Sequence, residues 1–170
     1  MRLLAFEAVA SALNEAGVRY LVAGGLAVNA HGYLRLTMDI DLVIALDDAN
    51  VKAAFEALVG IGYRASVPID AEQFADAAQR DRWRDEKGMV VLNFFSDQYR
   101  DAPVDVFVHV PFDFEGEYRM ALVGDLRPGL SVRFVSIPCL IEMKEAAGRP
   151  RDVDDIQHLN WLLDEGGDKA

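Results

Sequence analysis

Three aspartates sit where an apolar strand has no structural use for them. Asp39 and Asp41 stand two apart in "MDIDLVI", and Asp105 interrupts "VDVFVHV". Side chains two apart on a strand share a face, so Asp39 and Asp41 should project together, with Met38, Ile40 and Leu42 on the other side. If the strands carrying Asp41 and Asp105 are neighbours, three carboxylates converge. Left unneutralised they would repel and raise one another's pKa values. A divalent cation resolves the conflict, and an oxygen-only donor set selects Mg2+ or Mn2+ over zinc. Solvent-facing or turn-proximal placement, the ordinary account of an aspartate, suits Asp47 and Asp48. It fails for two acids on one face of an apolar strand, where unpaired charge is costly to bury.

A second oddity precedes the first. Gly24 and Gly25 stand side by side between "RYLVA" and "LAVNAHGY". A glycine pair at a strand-to-helix turn lets backbone approach a ligand closely and presents free N–H groups, an arrangement suited to phosphate. Phosphate beside carboxylate-held metals implies phosphoryl or nucleotidyl transfer by a two-metal route. Arg35 and Thr37 fall at the rim where such a phosphate would lie. Arg35 either neutralises phosphate charge or pairs with a surface acid. With three histidines in the chain, and His31 and His109 far apart, a zinc site is not indicated. His31 reads as helix-end packing and His109 as a half-buried sheet position.

The elements that must position these groups follow from periodicity. "LLAFEAVASALNEA" repeats apolar positions at helical spacing, an amphipathic helix rather than a secretion signal, and Gly17 ends it. "RYLVAG" is a short buried strand, "GLAVNAHGY" a helix, and "LTMDIDLVIAL" the next strand. Asp47 and Asp48 cap a helix whose Val51, Ala54, Phe55 and Leu58 form an apolar stripe. "YRASVP" reads as an edge strand closed by Pro68. Residues 70–88 form helix plus loop outside the sheet, with Phe74 and Trp83 as anchors and Arg80, Arg82 and Arg84 on a solvated face. Strands at 89–95 and 102–110 follow, then a loop or hairpin into "LSVRFVSIP". Two helices close the chain, the second "RDVDDIQHLNWLL", with Trp161 a core anchor and a polar tail after it. Asp152 and Asp155 read as helix-capping acids.

These elements make an α/β (α+β) chain: a mixed sheet flanked by helices, with a short C-terminal helical segment. The back-to-back strands after Gly88 break the regular alternation of a doubly wound fold. The organisation expected is a core at 1–136, helices at 137–165 packed on it, and a tail at 166–170, one structural domain overall.

The chain has 17 basic against 28 acidic side chains, a net charge of −11. That field argues against long nucleic acid as a partner, which a basic face would grip, and leaves a metal-chelated small anion acceptable. No apolar run approaches the roughly 20 residues of a membrane span. The single cysteine, Cys139, excludes an intramolecular disulfide framework and fits a reducing cytoplasm.

The glycine pair, the later "DID" and the still later "VDVF" together resemble the polymerase-β-type nucleotidyltransferase superfamily. That family's signature is a GG-containing turn, a D-x-D strand and a third acid on a neighbouring strand. More narrowly, "VAGGLAVNAHGYLRLTMDIDLVI" with "LIEMKEAAGRPRDVDDIQHL" is similar to the small bacterial AbiEii-like nucleotidyltransferases, a group associated with toxin-antitoxin and phage-defence systems. The resemblance spans residues 20–163. It implies a minimal nucleotidyltransferase fold and a Mg2+-dependent enzyme that moves a nucleoside monophosphate from an NTP such as ATP to a hydroxyl, releasing pyrophosphate. It makes Asp39 and Asp41 ligands of the metals that hold the triphosphate. Asp105 completes the catalytic metal site, Gly24 and Gly25 hold the β- and γ-phosphates, and Lys144 reaches phosphate or base. It also implies, as an alternative, a partner-binding module with weak or no catalysis, one half of a toxin-antitoxin pair. Many members carry Ser directly after the glycines; Leu26 stands there in this chain, so a hydroxyl contact to phosphate is missing.

Overall fold

The computed structural model describes residues 2–168. Seven strands form one sheet in the order β3-β4-β5-β2-β1-β7-β6. Its centre is built from the two stretches that carry the chemistry. β1 (Tyr20–Ala23) runs antiparallel to β2 (Ile40–Ile44), and β2 pairs in parallel with β5 (Val104–Phe107). β4 (Val91–Ser96) and β3 (Tyr63–Ala65) extend one side antiparallel, with β3 at the edge. On the other side β7 (Leu130–Phe134) joins β1 in parallel and β6 (Leu122–Arg127) closes the far edge. The mixed α/β sheet expected from the sequence is the sheet observed.

Register divides the sheet into rows with different fates. Val22, Leu42, Val106 and Leu92 are paired across four strands and all are buried. Helices cover this side. α1 (Arg2–Glu15) buries Ala5, Phe6, Val9, Ala10 and Leu13, while Leu3 and Leu4 at its start stay exposed. α3 (Asp48–Gly60) begins where the Asp47 carboxylate accepts from the Asn50 N–H, and it buries Val51, Ala54, Phe55 and Leu58. Phe55 in turn meets Phe74 of α4 (Ala71–Ala75) and Phe94 of β4 with ring centroids 5.3 and 5.2 Å apart. The neighbouring row, one residue along each strand, is Ala23, Asp41, Asp105 and Asn93. It faces away from that core.

The remaining helices frame this second face. α2 (Gly24–Ala30) starts directly at the end of β1, and α7 (Ile137–Ala147) packs beside it. Gly148, at φ +62°, turns α7 into α8 (Pro150–Asp168), which packs back on α7. α8 is helical as far as Asp168, through most of the stretch expected as a tail. α5 (Ala77–Lys87) and α6 (Phe114–Met120) are surface elements.

Several sequence readings change. The strand around the D-x-D pair begins at Ile40, so residues 36–39 lie outside the ladder. Arg80 is buried, its Nη1 donating to the Phe74 carbonyl at 2.5 Å, because α5 folds back over α4. Trp161 is 54% exposed and stacks edge-on against His158 on the outer side of α8, so it anchors no core. α6 was not assigned from the sequence, whereas the hairpin alternative for this region is realised: β6 turns back antiparallel into β7. Cys139 is a buried free thiol, its pKa pushed up to about 12 by burial.

Candidate active site

The site is the polar row of the sheet. Asp41 and Asp105 are register partners on parallel β2 and β5, and Asn93 on β4 is the register partner of Asp105. Partners of this kind present side chains to one face a few ångströms apart. Asn93 donates from Nδ2 to Asp105 Oδ1 at 2.8 Å, which fixes that carboxylate. Asp39 lies just ahead of β2, and its charge is felt at both Asp41 and Asp105.

Electrostatics mark Asp41 as the strained member. Burial, then the charges of Asp105 and Asp39, push its pKa from 3.8 up to about 6, with Arg149 and Lys144 pulling the other way. Asp105 is also raised, first by burial and further by Asp39, against the lowering effect of the Asn93 hydrogen bond. Among the described residues the Asp41 carboxylate makes no ion pair, and Arg149 and Lys144 offset its neighbours' charge only in part.

The glycines have a stated geometric task. Gly24 has φ +62°, and a Cβ there would fall 2.0 Å from Asp41 Oδ2. A Cβ on Gly25 would lie 2.3 Å from Thr37 Oγ1 and 3.1 Å from Arg35 Nη1. Glycine is therefore what lets the start of α2 sit against Asp41, Thr37 and Arg35 together. Gly24, Gly25, Arg35, Thr37, Asp39, Asp41 and Asp105 thus gather at one end of β1, β2 and β5.

Beside them lies a buried charge cluster. Arg35 makes a bidentate pair with Asp155, Nε to Oδ1 and Nη2 to Oδ2, both at 2.7 Å. Lys144 Nζ reaches Asp155 Oδ2 at 2.7 Å and Asp152 Oδ1 at 3.4 Å. Arg149 Nε pairs with Asp152 Oδ2 at 3.0 Å. Arg35 does pair with an acid, but with the buried Asp155 rather than a surface one. Asp152 does cap α8, accepting the Arg149 N–H at 3.1 Å. Asp155 does not cap; it is 1% exposed and receives two cations. Burial alone would raise both acids, but hydrogen bonds from Arg149 to Asp152, and from Arg35 and Lys144 to Asp155, leave both below the usual carboxylate range.

His31 sits at a helix end as expected, whereas His109 is not a sheet position. His31 caps the end of α2 and its Nε2 lies 2.8 Å from the Val135 carbonyl. His109 falls beyond the end of β5, against Arg84. Asn93 was missed by sequence reasoning. Its signal was available: "MVVLNFF" is apolar but for one amide, the same anomaly that drew attention to Asp105.

The donors facing the site are carboxylate oxygens, a hard set that suits Mg2+ or Mn2+. Among the described residues no group of three His, Cys, Asp or Glu is arranged to hold a metal ion by itself. Mg2+ is commonly held by one or two carboxylates and completed by substrate phosphates and water, and the Asp41–Asp105 pair fits that division.

No protein-family model matches the chain, and no curated protein matches it in sequence. Solved structures do match in three dimensions. The solution structure of the antibiotic-resistance factor ANT(2'')-Ia superposes with a TM-score of 0.62 at 14% identity, over 96% of this chain and 86% of that one. The same factor in complex with adenylyl-2''-tobramycin gives 0.59 at 14% identity, over 95% and 88%. The lincosamide antibiotic adenylyltransferase LnuA, lincomycin-bound, gives 0.57 at 14% identity, over 88% and 90%. The chain therefore shares its fold with this resistance factor and this adenylyltransferase.

Proposed function

We propose that this chain is a metal-dependent nucleotidyltransferase of the polymerase-β type, which moves NMP from an NTP to a hydroxyl and releases pyrophosphate. The observation that carries the reading is the row Asp41–Asp105, joined by Asp39 and abutted by Gly24, in a fold shared with adenylyltransferases. Asp41 and Asp105 would hold Mg2+ or Mn2+, with the Asp39 charge close enough to add to their attraction for the ion. When bound, that cation neutralises the crowded carboxylates and draws charge from phosphate oxygens. Gly24 and Gly25 leave room for the β- and γ-phosphates, with Thr37, Arg35 and Lys144 alongside. In the transfer, the acceptor oxygen bonds to the α-phosphorus and the bond to the β-phosphate oxygen breaks. Asp105, oriented by Asn93 and with a raised pKa, takes the hydroxyl proton.

The acceptor fits a small hydroxyl-bearing molecule better than RNA. Neighbours of this fold carry adenylyl-tobramycin and lincomycin, and a net charge of −11 repels a polyanion while tolerating an amine. The AbiEii-like affiliation rests on the sequence elements alone, and the buried thiol of Cys139 suits action in the cytoplasm. A second reading, a partner-binding module such as half of a toxin-antitoxin pair, is favoured by one observation. Leu34, Leu36 and Met38 are exposed in alternation on the segment leading to Asp39.

The test is incubation with α-labelled NTPs, Mg2+ and a pool of hydroxyl acceptors that includes tobramycin and lincomycin. Label should move to an acceptor with the wild type and not with Asp39→Ala or Asp41→Ala. Absence of both nucleotide binding and transfer in the wild type would sink the enzyme reading and leave the binding module.

A further inference from the structure

The cluster beside the glycine turn is more elaborate than packing needs. Asp155 on α8 and Lys144 on α7 are buried, at 1% and 5% exposure, and Arg35 comes to them from the connection between α2 and β2. One carboxylate thus ties three separate parts of the chain. Its Oδ1 takes Arg35 Nε, and its Oδ2 takes both Arg35 Nη2 and Lys144 Nζ, all at 2.7 Å. The third guanidinium nitrogen, Nη1, is left pointing along the turn: it donates to the Leu36 carbonyl at 3.0 Å and sits where a Cβ on Gly25 would come within 3.1 Å of it.

Charge is unbalanced in a useful direction. Arg35, Lys144 and Arg149 surround only Asp152 and Asp155, so three cations share two acids. The surplus lies next to the carboxylate row, where Asp41 feels both Lys144 and Arg149. Buried ion pairs are poor stabilisers, since desolvation offsets most of their attraction and apolar replacements often do as well. Stability therefore gives little reason for the buried Lys144 and the partly buried Arg35 at this place. A bidentate carboxylate fixes a guanidinium in direction as well as position, which is a reason.

We propose that Asp155 is a positioning residue of the nucleotide site: through its bidentate pair it aims Arg35 at the Gly24–Gly25 turn, and through its second contact it holds Lys144 in the same cationic wall. The C-terminal helices then belong to the phosphate side of the site rather than merely bracing the sheet. This role rests on the nucleotidyltransferase reading, and it assigns Asp155 no contact with substrate.

The experiment is calorimetric titration with Mg2+·ATP of the wild type, Asp155→Asn, Asp155→Glu, Arg35→Gln and the double variant Asp155→Asn/Arg35→Gln, each checked for fold by circular dichroism. Asp155→Asn should weaken ATP binding by roughly tenfold, the scale of a lost charge-assisted contact. Asp155→Glu, which keeps the charge, should recover part of that loss. The double variant should bind no worse than the weaker single one, because both act through one guanidinium. A fully structural role predicts a lower melting temperature with unchanged affinity, and that result overturns the proposal, as does full additivity. Should Asp155→Asn not fold, Arg35→Lys keeps the charge and removes the fork; it should weaken ATP several-fold, and wild-type affinity there overturns the proposal equally. Failure of the wild type itself to bind Mg2+·ATP is a different result: it overturns the nucleotide reading, and this role with it.

Discussion

Asp41 and Asp105 are register partners on two parallel strands, and neither is ion-paired among the described residues. The fold thus carries a standing repulsion on its polar face. Burial and the two neighbouring acids raise Asp41 from 3.8 to about 6, so folding favours its protonated form. That contribution is fully present below the unfolded value of 3.8 and is lost as pH rises through about 6. Asp41→Asn keeps the neutral shape at every pH. The variant and the wild type should therefore be nearly equal in stability at about pH 4, and the variant more stable at about pH 7.5, by about 1–2 kcal/mol. Urea unfolding at the two pH values measures the gap. A gap that does not widen with pH contradicts the electrostatic account of this row.

The same repulsion predicts a cation response. A ligand that binds only the folded protein stabilises it by mass action, about 2.7 kcal/mol at a hundredfold excess over its Kd. Mg2+ with ATP should raise the melting temperature of the wild type, and a chelator should reverse the rise. Asp41→Asn and Asp105→Asn should respond far less, since each removes an oxygen donor and the charge that draws the ion. Equal shifts in all three proteins would place the ion elsewhere.

Gly24 and Gly88 share a left-handed backbone and differ in what surrounds them. Their φ values are +62° and +61°; a Cβ on Gly24 would collide with Asp41, whereas one on Gly88 meets nothing within 4 Å. Alanine at either position incurs about 1–2 kcal/mol for the left-handed conformation. Gly88→Ala should lose that stability and keep nucleotide binding. Gly24→Ala should lose binding as well, because the Asp41 carboxylate must move to admit the methyl group. Thermal melts paired with ATP titration separate the two costs. Retention of ATP binding by Gly24→Ala would show that the turn tolerates a displaced Asp41.

How far the sequence disclosed this site depended on the kind of signal each residue carried. Asp41 and Asp105 were legible because a charge in an apolar strand violates the period-2 pattern, and their adjacency needed only one pairing assumption, which β2 and β5 satisfy. Gly24 and Gly25 were legible as a turn, but not their reason: the closeness of Asp41 and Thr37 is a tertiary fact. Asp155 was misread as a cap because its helix position invites that account. Nothing local says that Arg35 arrives from across the chain with a bidentate pair. Trp161 and Arg80 erred in opposite directions for one cause. Burial depends on how helices fold back on neighbours, which composition does not encode.

Asn93 offers the sharpest separation of chemistry from binding. Its Nδ2 donates to Asp105 Oδ1 at 2.8 Å from the adjacent strand, and two strands lie between it and β1, where the glycine turn begins. That hydrogen bond holds the Asp105 pKa down against burial and the Asp39 charge. Asn93→Leu removes the donor while keeping the volume, so Asp105 loses both its orientation and its one short-range stabiliser. Its pKa should rise further, and the acidic limb of the pH–rate profile should move to higher pH. Loss of an outer hydrogen bond of this kind costs about 10- to 100-fold in activity. The loss should fall on kcat, with the KM for NTP nearly unchanged, because Asn93 touches no group on the phosphate side. Steady-state kinetics across pH decides it. An unmoved acidic limb, or a loss confined to KM, would mean that Asp105 is not the group whose ionisation the reaction requires.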